Sequence, residues 1–144
     1  MKKENLLISA CLLGMPTRYD GKSIKNADCE KLKEKYNLVP VCPEIYGGLS
    51  TPRNPSERIG DEVFMNSGDN VTENYARGAE CALSLCRIFE CKKALLKERS
   101  PSCGKGKIYD GTFSGTLKEG NGVTADLLIQ NGIEVFGESE IDKL

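Results

Sequence analysis

The chain opens with the apolar run Asn5-Leu6-Leu7-Ile8-Ser9-Ala10, which ends at Cys11. The run lacks helical spacing, and this predicts a buried strand with a loop at its carboxyl end. Leu38-Val39-Pro40-Val41 predicts a second strand. Between them, residues 26–36 are rich in lysine and glutamate, which predicts an exposed amphipathic helix. The chain therefore starts with a strand–helix–strand unit.

The same alternation continues to the end of the chain. Helical patterns cover residues 71–91 and 123–130, and short apolar runs at residues 93–97 and 133–136 predict two more strands. Two stretches rich in glycine, residues 43–68 and 100–122, predict long loops of the kind that usually carries function. We expect an α/β fold, a Rossmann-like three-layer domain with a mostly parallel sheet flanked by helices, and a single domain over residues 1–144.

Composition and charge exclude several functions. The chain of 144 residues has a net charge of -1, so we expect no attraction to polymeric nucleic acid. No segment approaches the ~20 apolar residues of a membrane span. The start of the chain resembles a lipoprotein signal before Cys11, but its apolar run is about half the ~10 residues of an export signal, and Glu4 lies where positive charge is expected. We expect a cytoplasmic protein without a membrane partner.

The sequence has seven cysteines and no histidine. An odd number of cysteines cannot pair completely, which favours reduced thiols over a secreted disulfide scaffold. The absence of imidazole leaves thiolates, carboxylates, hydroxyls, lysines and backbone amides for any chemistry.

Three cysteines follow three predicted strands. Cys11 ends the first strand, Cys42 ends the second, and Cys103 lies in the loop after the third. Because parallel strands end at one edge of a sheet, we expect the three thiols to converge there. Three thiolates suit a soft metal or an iron–sulfur cluster and leave a coordination position open. The alternative is that these cysteines are small buried apolar side chains at strand ends.

The remaining cysteines are weaker candidates. Cys81, Cys86 and Cys91 are five residues apart along a predicted helix, so each is rotated about 140° from the last and they cannot share one face. We interpret them as core or surface thiols. Cys29 belongs to the first predicted helix and has no obvious partner.

Glu44 and two serines are the candidate proton-transfer groups. Glu44 follows Cys42 by two residues and could move protons for a bound substrate, or be an ordinary loop carboxylate. Ser100 and Ser102 bracket Pro101 before Cys103, where a hydroxyl could orient a substrate, although turn formation explains both serines equally well. The polar loops at residues 18–21 and 109–115 could each recognise a small polar ligand.

Several strings, in one order along nearly the whole chain, resemble the family known as domain of unknown function 523, whose characterised members are thiouracil desulfidases. The strings are Ser9-Ala10-Cys11-Leu12-Leu13-Gly14, Arg18-Tyr19-Asp20-Gly21, Pro40-Val41-Cys42-Pro43-Glu44, Gly47-Gly48-Leu49 with Pro52-Arg53, Ser100-Pro101-Ser102-Cys103-Gly104, Asp110-Gly111-Thr112-Phe113-Ser114-Gly115 and Gly122-Val123-Thr124-Ala125.

The resemblance implies a specific enzyme, of the short single-domain type. A [4Fe-4S] cluster would be held by Cys11, Cys42 and Cys103, with Glu44 as the proton-transfer group and Ser100, or less favourably Ser102, as its hydroxyl partner. The implied reaction is the non-redox removal of sulfur, as sulfide, from a small thiolated pyrimidine such as 2-thiouracil.

Two other functions compete with this one. In the first, a metal- or cluster-binding module holds zinc or an iron–sulfur cluster for sensing or sulfur handling, without desulfidase activity. In the second, the chain is a thiol-redox protein, but no Cys-x-x-Cys pair supports it. The sequence indicates no oligomeric state.

Overall fold

Four parallel strands form the central sheet of the computed structural model, which describes residues 2–144. Within these residues the strands are β1 (Glu4–Ser9), β2 (Tyr36–Val41), β3 (Ser56–Ile59), β4 (Glu62–Met65), β5 (Lys93–Leu96), β6 (Lys107–Tyr109), β7 (Leu117–Glu119) and β8 (Glu134–Gly137). The helices are α1 (Ala27–Lys31), α2 (Pro43–Tyr46), α3 (Thr72–Ile88) and α4 (Val123–Gln130). The sheet has the order β2-β1-β5-β8, and each neighbouring pair is parallel. The predicted α/β fold with a mostly parallel sheet is confirmed.

Both faces of this sheet are covered, because successive strand residues point to opposite sides. Leu7 and Ala94 share one buried cluster with residues of α3 and α4. Leu6 and Leu95, each one position away, share another with Cys29 of α1. All five of these side chains are fully buried, and burial of a leucine stabilises the fold by about 1.5–3 kcal/mol. The expected three layers follow from this alternation.

The first helix is shorter than the sequence predicts. Asn26 caps α1 by accepting hydrogen bonds from the N–H groups of Asp28 and Cys29, but the helix ends at Lys31 and a 3-10 turn completes it at Glu34. The assignment of Tyr36 to the helix was wrong. Tyr36 begins β2, where it is buried in the core beneath the sheet.

The two stretches rich in glycine contain more structure than the predicted loops. The first folds into α2 and the antiparallel hairpin of β3 and β4, and the second contains the hairpin of β6 and β7. These strands are three or four residues long, which leaves too few positions for an alternating apolar pattern to be recognised.

The long helix α3 ends before Cys91, so the expectation that Cys86 and Cys91 cannot share one face is wrong, whereas their interpretation as core thiols is confirmed. Glu90 adopts a positive φ of 54°, the chain turns back, and the N–H of Cys91 donates to the carbonyl oxygen of Cys86 across 2.9 Å. Both thiols lie in the same buried cluster, and the Cys91 thiol, together with burial, raises the pKa of Cys86. Cys86 and Cys91 therefore do share one side of the molecule.

Helix α2 packs directly against α3 through two glycines. A Cβ atom on Gly78 would overlap the carbonyl oxygen of Pro43, and one on Gly47 would overlap the carbonyl oxygen of Asn74. The absence of side chains at these positions lets the two backbones touch. This contact fixes the position of α2, which carries Glu44.

Between residues 2 and 144, no helix has both the length and the apolar character that a membrane crossing demands.

Candidate active site

A cavity of about 510 Å³ lies at the carboxyl ends of β1, β2 and β5. Cys11 enters its wall directly after β1, Cys42 directly after β2, and Cys103 from the loop after β5. Glu44 and Ser100 line the same cavity, whereas Ser102 does not. The structure thus brings five of the six predicted site residues together, at the edge of the sheet where parallel strands place ligands.

Two of the three thiols, those of Cys11 and Cys103, have raised pKa values. Burial, followed by the charge of Cys42, raises the pKa of Cys11 to about 11, and Lys97 opposes the rise. Burial also raises the pKa of Cys103, further increased by Cys42 and Cys11 and opposed by a hydrogen bond with Ser9. The protein environment therefore favours the protonated forms of Cys11 and Cys103.

Local turns hold the cysteines in place. The hydroxyl oxygen of Ser100 accepts the N–H groups of Ser102 and Cys103 at 3.1 and 3.0 Å, and this turn carries the Cys103 thiol. Cys42 immediately precedes α2, and its sulfur lies 3.7 Å from the carbonyl oxygen of Thr17. In the described part of the chain, no three cysteine, aspartate or glutamate side chains are arranged to hold a single metal ion.

Glu44 is held through one of its two carboxylate oxygens. Oε1 accepts a hydrogen bond of 2.6 Å from the hydroxyl of Tyr75 and one of 3.2 Å from Nε of Arg53. The Arg53 side chain is 3% exposed and that of Glu44 is 16% exposed, so the ion pair is well shielded from water. Burial, and then the charge of Glu44, raise the pKa of Tyr75, which keeps its hydroxyl protonated as a donor.

The two candidate serines have different surroundings. Ser100 accepts two backbone N–H groups, which leaves its own hydroxyl hydrogen available at the cavity wall. Ser102 is fully buried, and its Oγ lies 2.8 Å from Oγ1 of Thr124 on α4. The hydroxyl of Ser102 is therefore committed to the core.

Sequence reasoning missed three residues that support the site. Arg53 and Tyr75 orient Glu44. The hydroxyl oxygen of Ser9 accepts the N–H of Lys97 at 2.9 Å, and Ser9 opposes the rise in the pKa of Cys103. Arg53 belongs to the Pro52-Arg53 string that carries the family resemblance. An arginine in a loop of small residues was the available signal. Tyr75 offered none, because in sequence it is an aromatic residue on the buried side of a helix.

Both loops predicted to recognise a ligand reach the cavity. The first supplies Arg18 and Tyr19, and the second supplies Tyr109, Phe113 and Gly115. Their role in ligand recognition stays a prediction.

Comparison with known proteins connects this cavity to a chemistry. Residues 6–140 match the family model described as 2-thiouracil desulfurase. The uncharacterised protein YbbK of Bacillus subtilis strain 168 is 41% identical over 149 residues, which covers 96% of this chain and 99% of YbbK. A solved structure described as the [4Fe-4S]-dependent thiouracil desulfidase TudS is 48% identical with a TM-score of 0.93, and the match covers 99% of this chain and 95% of that one.

Proposed function

Because the chain belongs to the 2-thiouracil desulfurase family, we propose that it is a [4Fe-4S]-dependent desulfidase that removes sulfur from a thiolated pyrimidine such as 2-thiouracil. The observation that carries the proposal is the cavity shared by Cys11, Cys42, Cys103 and Glu44. In the overall reaction, water adds its oxygen to the ring carbon, the C–S bond breaks, and sulfide leaves. No oxidant or reductant is consumed.

The donor set of the cavity fits this cluster. We assign Cys11, Cys42 and Cys103 as its ligands, since thiolates are the usual ligands of iron–sulfur clusters. Three thiols that line one cavity without being arranged around a single metal ion would suit a cluster. When bound, the cluster would supply an iron that carries no cysteine ligand. This iron would act as a soft Lewis acid that polarises a C–S bond.

Glu44 is assigned the proton transfer. Its Oε1 is occupied by Tyr75 and Arg53, which leaves Oε2 to take a proton from the attacking water and return it to the products. The same two partners hold the carboxylate at the cavity wall, so its orientation costs no rearrangement during the reaction.

Ser100 is assigned as the hydroxyl that orients the substrate or the water, with Ser102 as the less favoured alternative. The support for this choice is that Ser100 lines the cavity, whereas the hydroxyl of Ser102 is bonded to Thr124. We place the enzyme in the cytoplasm, because all seven cysteines are free thiols and reduced thiols persist in that compartment.

The test is sulfide release from 2-thiouracil by protein purified and reconstituted without oxygen. We expect a brown protein with broad absorption near about 400 nm, and sulfide and uracil formed in equal amounts. The reaction should proceed without an added electron donor or acceptor. A protein that takes up the cluster but forms no sulfide is a binding module, and this result would overturn the proposal.

A further inference from the structure

Phe113 presents a large aromatic side chain to the cavity instead of to the core. Phe113 lines the cavity wall and is 38% exposed. Its backbone has a positive φ of 56°, a conformation that a bulky residue rarely adopts. Such strain persists only where the surroundings enforce it, and it is often associated with a function.

A buried carboxylate enforces this conformation. Glu57 on β3 is 8% exposed, and its Oε1 accepts the N–H groups of Gly111 and Phe113 at 2.9 and 3.1 Å. On the same loop, Oδ1 of Asp110 accepts both the N–H and the hydroxyl of Thr112. The loop is therefore fixed by hydrogen bonds through its backbone, and the aromatic ring is held at the cavity without being needed for core packing.

Tyr19 is the other strongly exposed aromatic residue of the wall, with 40% of its surface accessible. The guanidinium carbon of Arg18 lies over its ring, 5.7 Å from the centroid. Among residues 2–144, no arginine or lysine lies over the Phe113 ring in this way. Of the two strongly exposed aromatic residues of the wall, Phe113 is thus the one whose ring is not covered by a cation.

We infer that Phe113 stacks on the ring of the substrate and selects planar heteroaromatic compounds over saturated rings that have the same polar edge. This inference rests on the proposed function, because it concerns the substrate of the same cavity. Stacking between an aromatic side chain and a nucleobase depends on the planar π face and tolerates differences in the polar edge. The predicted specificity is therefore for ring planarity.

The experiment compares binding of uracil and 5,6-dihydrouracil to cluster-loaded protein by titration calorimetry. Neither probe has a sulfur to lose, and dihydrouracil retains the N–H and C=O groups but lacks a planar aromatic ring. Wild-type protein should prefer uracil by about tenfold or more, as expected for one stacked base. Phe113→Ala and Phe113→Leu should abolish this preference, whereas Phe113→Trp should retain it.

Kinetics separate stacking from a structural role. Phe113→Leu should raise the KM for 2-thiouracil by about tenfold while kcat and the cluster absorption stay unchanged. Phe89→Ala is the matched control, because Phe89 is 43% exposed at the end of α3 and does not line the cavity. It should behave as wild type.

An unchanged uracil preference in Phe113→Leu would overturn the inference, even if sulfide is released normally. Conversely, a preference that depends on Phe113 without any sulfide release would overturn the proposed desulfidase activity and support the stacking site. The two failures are therefore distinguishable.

Discussion

The hydroxyl of Tyr75 donates a 2.6 Å hydrogen bond to Oε1 of Glu44, although the two residues are 31 positions apart in the sequence. Tyr75 is fully buried on α3, and Glu44 lies on α2 at the cavity wall. The buried Tyr75 therefore fixes the orientation of the Glu44 carboxylate, which borders the cavity.

Removal of this hydroxyl should slow turnover more than it weakens substrate binding. In Tyr75→Phe, Glu44 keeps Arg53 but loses its shorter hydrogen bond, so we expect kcat to fall by about tenfold with a smaller change in KM. We also expect a loss of about 1–2 kcal/mol in the free energy of unfolding. Steady-state kinetics and urea unfolding measure both. Tyr46→Phe is the control, because Tyr46 is 53% exposed and does not line the cavity. A wild-type kcat for Tyr75→Phe would contradict the positioning role.

Arg53 should contribute strongly to stability. Its guanidinium also donates to the carbonyl oxygens of Thr17 and Ser50 and to the hydroxyl of Thr51. Arg53→Ala leaves the shielded Glu44 carboxylate without its cation, and we expect a loss of about 3–5 kcal/mol in urea unfolding. The exposed Arg77 on α3 provides a comparison, since Arg77→Ala should change stability by less than about 0.5 kcal/mol. Equal effects of the two substitutions would exclude a stabilising role for the Arg53 network.

Glu44 should be needed for turnover but not for the cluster. In Glu44→Gln the side chain keeps its size but loses the ability to accept a proton, so kcat should fall by about 100-fold or more. The brown colour should remain, because Glu44 is not among the assigned ligands. Glu80→Gln, at an exposed position of α3, should retain full activity. Normal turnover in Glu44→Gln would remove this residue from the mechanism.

Cluster content should depend on Cys42 and not on Cys81. Cys42→Ser removes one of three thiolates, and iron analysis after reconstitution should show loss of the cluster and its absorption. Cys81 is also partly buried, but it lies on α3 and does not line the cavity, so Cys81→Ser should keep both. The ligand assignment is wrong if the two variants contain the same amount of iron.

Substitution of Ser100 should lower activity, whereas substitution of Ser102 should lower stability. Ser100→Ala should lower kcat by about tenfold or more, since it removes a hydroxyl from the cavity wall. Ser102→Ala leaves the buried Thr124 hydroxyl without its partner, so it should cost about 1–3 kcal/mol of stability and leave kcat unchanged. Kinetics and thermal unfolding of both variants are the measurement. The reverse pattern would make Ser102 the functional hydroxyl.

Local sequence pattern was sufficient for the sheet and for the positions of the three cysteines. Apolar runs such as residues 6–8 and 94–96 are fully buried, as their composition predicts, and the parallel order brings the following residues to one edge. Cys11 and Cys42 follow closely on the ends of β1 and β2, and Cys103 reaches the cavity from the loop after β5, so this part of the site follows from topology.

The support of Glu44 and the pairing of two core thiols could not be predicted in the same way. The contact of Tyr75 with Glu44 depends on the docking of α2 on α3, which no periodicity encodes. The contact of Cys86 with Cys91 depends on where α3 ends, and the turn at Glu90 is made by a residue with no strong preference for a positive φ. Tertiary contacts decided both cases.

The direct contact between Pro43 and Gly78 has a consequence for mutational screens. A single methyl group at residue 78 must push α2 away from α3. Cys42, which precedes α2, and Glu44, which lies on it, would then be displaced together. In a mutational scan of this chain, Gly78 should therefore tolerate substitution as poorly as the residues that line the cavity. Gly78 itself does not line the cavity.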